Sequence, residues 1–230
     1  MKNERPGAFL TAIILLLAGL MAGNCFAFSS QVYSECERGN NKMKSTERDL
    51  PKFDILDFSG AFTVIVTAGE AKQKVKITAD ENLLPLITTS SQGNRLLIYP
   101  AKSICTENEI TIEISVANLQ ALASSGSDNI KVSGINNQSF SLVQGGAGDI
   151  ELAGHTGKFD AEISGSGDLA AQFLKSEKAT LHLAGSSTVN VHATEELNVS
   201  IVGVADVNYF GNPKKIVKDI VGVGELIKMD

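Results

Sequence analysis

Beyond residue 52 the chain alternates apolar and polar positions for most of its length. "FDILDFSGAFTVIVTAG", "KVKITAD", "RLLIYP" and "EITIEISV" are rich in β-branched residues and bounded by Gly, Pro, Asn and Ser. That pattern predicts strands with one buried face. "ENLLPLITT" leaves room for a short helical turn only, because Pro85 opposes a long helix. Residues 29 to 52 are polar and charged without apolar periodicity, which reads as an extended or poorly ordered lead-in.

After residue 120 the alternation becomes a repeat. "GSDNI" at Gly126, "GAGDI" at Gly146, "GSGDL" at Gly165, "GSSTV" at Gly185, "GVADV" at Gly203 and "GVGEL" at Gly222 follow one another at spacings of 20, 19, 20, 18 and 19 residues. A degenerate earlier copy is "GAFTV" at Gly60. Two, four and six residues before the glycines stand Phe159, Ala161 and Ile163, then Ala179, Leu181 and Leu183, then Leu197, Val199 and Ile201. Four and six residues after them stand Ile130 and Val132, Ile150 and Leu152, Leu169 and Ala171, Val189 and Val191. Each repeat therefore holds two strands with one face buried, and the glycine segment is a corner between them.

Such a unit cannot bury its apolar face alone. Copies stacked about 4.8 Å apart bury a continuous column and satisfy each other's backbone groups. The expected fold is all-β, a parallel β-helix-like solenoid with repeats of roughly 19 residues. A β-sandwich is the alternative, since it too is built from many short strands, but it does not call for like corners at a constant interval. In the last copy Lys218 and Lys228 take inward positions. Charges there suit a terminal coil that lacks a neighbour and discourage end-to-end pairing.

Residues 1–27 are set apart from the fold. Lys2 and Arg5 precede an apolar run, and the small residues Cys25 and Ala27 follow it, the layout of a secretory signal peptide cleaved after Ala27. A retained anchor and a lipoprotein modified at Cys25 are the competing readings. The expected organisation is then a leader over 1–27, a polar extension over 28–52 and one solenoid domain over 53–230. The whole chain has a formal charge of −6, and losing Lys2, Glu4 and Arg5 makes it one unit more negative. With no clustered basic run, nucleic acid is excluded as a partner class. No second apolar segment approaches spanning length, so the processed protein is expected in the periplasm, the outer envelope or the medium. Cys36 and Cys105 remain, an even pair that forms a disulfide or stays as two thiols.

The glycine-rich corners, together with "FDILDFSGAFTVIVTAGE" and "ITADENLLPLI", resemble the head GIN domain family of autotransporter adhesins over roughly residues 50–230. The resemblance implies a pectin-lyase-like, right-handed β-helical fold and export. It carries no catalytic residues to transfer.

The candidate chemistry is sparse. "GGAGDIELAG" (145–154) looks like a ligand loop, yet no helix follows it, as a dinucleotide fingerprint requires, and its period is not that of a toxin-type calcium repeat. The corner's fourth position holds Asn129, Asp149, Asp168, Thr188, Asp206 and Glu225. Stacking would align these in one column, able to cap turns or to share a cation. Glu151, Asp160 and Glu162, with Lys131 and Lys158, are the outward groups a polysaccharide-cleaving enzyme could recruit. His155, His182 and His192 lie on separate coils. The leading reading is an exported, non-catalytic binding solenoid of the cell envelope with no cofactor. Its ligand would be an envelope or extracellular glycan or protein. A polysaccharide-active enzyme and a self-associating structural protein are the rivals.

Overall fold

The computed structural model describes residues 35–230; the expected leader and the first part of the extension lie outside the described residues. Sixteen strands follow in order. The first nine are β1 (Glu37–Arg38), β2 (Met43–Arg48), β3 (Ile55–Phe58), β4 (Thr63–Ala68), β5 (Lys74–Asp80), β6 (Ile87–Gln92), β7 (Arg95–Pro100), β8 (Ile104–Cys105) and β9 (Thr111–Val116). Then come β10 (Ala121–Ser124), β11 (Asn129–Gln144), β12 (Ile150–Ile163), β13 (Leu169–Leu183), β14 (Ser186–Phe210), β15 (Lys215–Val223) and β16 (Leu226–Lys228). Among the described residues the one helical element is a 3-10 turn at Leu84–Leu86 that contains Pro85.

The long strands are coils that wrap around a shared core, each pairing in parallel with the next one along the chain. Parallel registers one repeat apart settle the architecture as a solenoid and exclude the β-sandwich. One inward column runs through Leu96, Leu56, Leu122, Leu142, Ala161, Leu181, Val199 and Lys218. All of it but Lys218 is buried. A second column runs through Ile112, Val64, Ile130, Ile150, Leu169 and Val189 on the far side of the corner. Each fully buried Leu or Ile contributes about 2 kcal/mol. Stacking supplies every such residue with the same kind of neighbour above and below. Phe140 and Phe159 show the effect at larger scale, with ring centroids 6.2 Å apart one coil from the next.

The corner glycines stack directly. A Cβ built on Gly126 would lie 2.1 Å from the carbonyl oxygen of Gly60. One on Gly146 would lie 1.6 Å from Gly126, one on Gly165 1.7 Å from Gly146, and one on Gly185 2.1 Å from Gly165. Gly203 and Gly222 continue the column and also hold φ of +138° and +139°, where other residues are strained. Close approach of backbone to backbone is therefore the common requirement, with positive φ added only in the last two copies.

The N-terminal end is closed by antiparallel pieces. β5 lies antiparallel to β9, β2 to β5, and β6 to β7. Part of the stretch read as an extended or poorly ordered lead-in is extended and ordered: Met43–Arg48 adds to β5 as a largely exposed strand. An edge strand lying over solvent has no apolar face, so periodicity gives no sign of it. Further polar contacts fix the segment. Asn82 Nδ2 donates to the Arg38 carbonyl at 2.7 Å, and Thr106 and Asn108 donate to the fully buried Asp80 carboxylate at 2.5 and 3.1 Å. Cys36 and Cys105 form a disulfide that joins β1 to β8, with Cα atoms 5.5 Å apart.

Among the described residues nothing pairs with the outer edge of the last coil. β15 pairs with β14 alone, and Lys218 sits in register with the buried Val199. Ile216, in register with the buried Leu197, is 41% exposed because no further coil among the described residues covers it.

Candidate functional site

The polar corner column forms one ladder. Backbone N–H of Asp149 donates to Asn129 Oδ1 (3.2 Å), that of Asp168 to Asp149 Oδ1 (3.0 Å), and that of Thr188 to Asp168 Oδ1 (2.8 Å). The pattern resumes where Glu225 N–H donates to Asp206 Oδ1 at 3.1 Å. Each side chain thus caps the same position of the following coil, worth about 1 kcal/mol apiece. Among the described residues no group of three or more His, Cys, Asp or Glu could hold a metal ion. Thr63 stands in register below Asn129, but its hydroxyl donates to Glu109 at 2.6 Å and caps no coil.

Behind the ladder, inside the corner, Asp128 is fully buried. It accepts from Phe62 N–H at 3.1 Å and from Ser124 Oγ at 2.9 Å. Burial raises its pKa, opposed by those bonds and by the backbone N–H groups of Gly60 and Gly126. Later coils carry Gly148 and Gly167 at this position, each too close to the coil below for a side chain. Asp128 is a structural acceptor between the first two corners.

Outside the ladder runs a groove of about 640 Å³, lined by Thr63, Ile65, Asn129, Lys131, Asp149, Glu151, Asp168, Ala170 and Asn190 among others. That volume lies in the range of ligand sites. Its outer wall is a second column, five residues after each corner glycine: Ile65, Lys131, Glu151, Ala170 and Asn190. Asn208 continues it, donating to Asn190 Oδ1 at 3.0 Å. Lys131 binds Glu151 at 3.0 Å, while Ala170 leaves a dip between Glu151 and Asn190. The same parity count that gave the buried positions reaches this column, but its mixed residue types give no motif to flag it.

The outward acidic groups do not converge. Glu151 belongs to the groove wall, whereas Asp160 stacks between Ser141 and Thr180, and Glu162 between Val143 and His182. Asp160 is held by Lys158 at 2.8 Å. His155 and His182 are exposed on different columns. His192 is partly buried with its Nδ1 shielded from solvent and without a hydrogen-bond partner. Its pKa is lowered, first by burial and then by the Lys175 ammonium.

Residues 52–213 match the family described as "Putative auto-transporter adhesin, head GIN domain". No curated protein matches the chain. Among solved structures, a Bacteroides fragilis protein described as a "putative adhesin" superposes with a TM-score of 0.70 at 18% identity, covering 84% of this chain and all of its own. A Parabacteroides distasonis protein described as a "putative lipid binding protein" gives a TM-score of 0.50 at 23% identity, covering 85% of this chain and all of its own. At such identities both comparisons speak for the fold alone.

Proposed function

The chain belongs to the head GIN domain family of auto-transporter adhesins, and from that premise we propose that it is an exported, non-catalytic binding protein of the cell envelope. Its ligand in this reading is a glycan that lies along the stack in the groove beside the Asn129–Thr188 ladder. The observation that carries the reading is the repetition of one polar arrangement over the successive coils from Asn129 to Thr188. The capping bonds fix the ladder side chains before any ligand arrives, so little side-chain entropy is lost on binding. Amides, carboxylates and the Lys131–Glu151 pair offer donors and acceptors suited to hydroxyl groups. Ile65 and Ala170 offer small apolar contacts for ring faces. Of the carboxylates a hydrolase would need, Glu151 and Asp160 are engaged by lysines, and Glu151, Asp160 and Glu162 stand on separate columns, which favours binding over cleavage.

Cell fractionation with surface protease treatment tests the location, and recovery of the intact leader-bearing chain in the cytoplasm would overturn export. Glycan arrays probed with the protein and with Asn190→Ala test the site. Asn190→Ala is expected to weaken retention about tenfold, in line with one lost hydrogen-bonding group. Release of shortened products from any bound polysaccharide would replace this reading with an enzymatic one.

A further inference from the structure

Apolar exposure is concentrated at one end of the molecule. Of the thirteen exposed large apolar side chains among the described residues, eight lie between Val202 and Met229. Here too is β15, nine residues long, with a neighbour on one edge and none on the other among the described residues. An exposed edge of this length, beside an uncovered apolar stripe, is a template for another strand.

The opposite end of a second copy does not fit it. That end presents β6 ("ITTSSQ") and β2 ("MKSTER"), polar edges that belong to antiparallel pairs. Head-to-tail stacking would set the stripe of Ile216 and Ile220 against hydroxyl and charged groups. Tail-to-tail contact instead joins β15 to β15 as an antiparallel pair about a two-fold axis. This closes after two copies and gives no filament.

Within β15 one register alone sets opposite charges face to face, and two others set like charges together. In a sheet that continues across the axis, facing residues share a face, so the axis passes through a residue pair. An axis at Lys218 sets Lys218 against its own copy, and one at Asp219 sets two carboxylates together. An axis at Val217 brings Val217 against Val217 and places Lys215 opposite the second copy's Asp219, twice. These three residues lie on the outer face, in register with Glu196, Asn198 and Ser200. On the inner face the same register sets Ile216 against the second copy's Lys218. The lysine's methylene stem can cover the isoleucine there while its ammonium reaches water. Lys218 is therefore compatible with this closed pairing, although it opposes the registers that would stack like charges.

We propose that two copies of this chain associate tail to tail through β15, in an antiparallel pair centred on Val217. The assembly is independent of what the groove binds. Sedimentation velocity on the purified protein is expected to show a concentration-dependent monomer–dimer equilibrium. Val217→Lys should abolish the dimer, and Asp219→Lys, which faces Lys215 across the axis, should weaken it about tenfold. Lys215→Asp should weaken it as well, and the double exchange Lys215→Asp with Asp219→Lys should restore it. Lys215 also binds Glu196 at 2.7 Å, so restoration in the double variant is the decisive reading. All three positions are exposed, and an unchanged melting transition at low protein concentration shows that the variants fold. A monomer at every concentration, open-ended oligomers, or a double variant no better than its parents would overturn the proposal.

Discussion

Gly145 and Gly146 are neighbours in one corner, yet alanine is expected to be tolerated at the first and severely destabilising at the second. A Cβ on Gly146 would sit 1.6 Å from the Gly126 carbonyl oxygen, half of an ordinary contact, and the obstacle is backbone that cannot rotate aside. The coils must separate locally by more than an ångström. Three bonds cross the gap here: Gly145 N–H to Ser124 O (2.8 Å), Ala147 N–H to Gly126 O (3.0 Å) and Asp149 N–H to Asn129 Oδ1 (3.2 Å). Losing them costs about 1 kcal/mol each, and overpacking adds about 1–3 kcal/mol. Gly146→Ala should therefore destabilise by about 4–6 kcal/mol, much of the stability of an ordinary domain. A Cβ on Gly145 meets Ser164 Oγ at 3.7 Å, ordinary contact, and its φ is not positive. Gly145→Ala should change stability by less than about 1 kcal/mol. Urea unfolding of both variants is the assay. Equal effects would mean that the glycine column is not set by coil-to-coil approach.

Leu181→Asp should unfold the protein or cost several kcal/mol, because Leu181 is fully buried, while His182→Asp on the outer face should stay within about 0.5 kcal/mol; equal losses in thermal melts would refute the register. Reducing the Cys36–Cys105 disulfide should lower stability by about 2–4 kcal/mol, since it closes a separation of 69 residues. Melts with and without reductant check this, and no change would show that the asparagine contacts and β2 suffice. His192 is held neutral by burial and by Lys175, so its folded pKa is below its unfolded value. Its contribution is fully present above the ordinary histidine value near 6.5 and is lost as pH falls through the folded pKa. His192→Gln should flatten that acid-side decline, and an unchanged pH profile of stability would refute the assignment.

The solenoid was legible because its cause is periodic. One apolar requirement recurs at every coil, so inward positions such as Phe159, Leu181 and Val199 repeat at a fixed offset from a glycine that the stacking itself demands. The non-repeating parts were not legible for the same reason. Met43–Arg48 joins the sheet through backbone pairing and through contacts such as Ser45 Oγ to Thr78 Oγ1 at 2.8 Å, and neither leaves an apolar rhythm. The antiparallel closure by β2 and β6 depends on which edge a polar strand finds, a long-range choice that local pattern does not encode.

The ladder shows why function is harder to read than fold in such a chain. Asp149 and Asp168 look like ligand-binding carboxylates in the sequence, but each spends one oxygen capping the next coil. The architecture alone would favour an acceptor at that position. The neighbouring column is different. Lys131, Glu151, Ala170, Asn190 and Asn208 share a register but no residue type, although the stacking restrains each of them equally. A position that the fold leaves free, yet which varies from coil to coil between a cation, an anion, a methyl group and two amides, is where the surface can be shaped to a particular ligand. Substitutions in that column should therefore change binding with little effect on stability, whereas those in the ladder should lower stability as well.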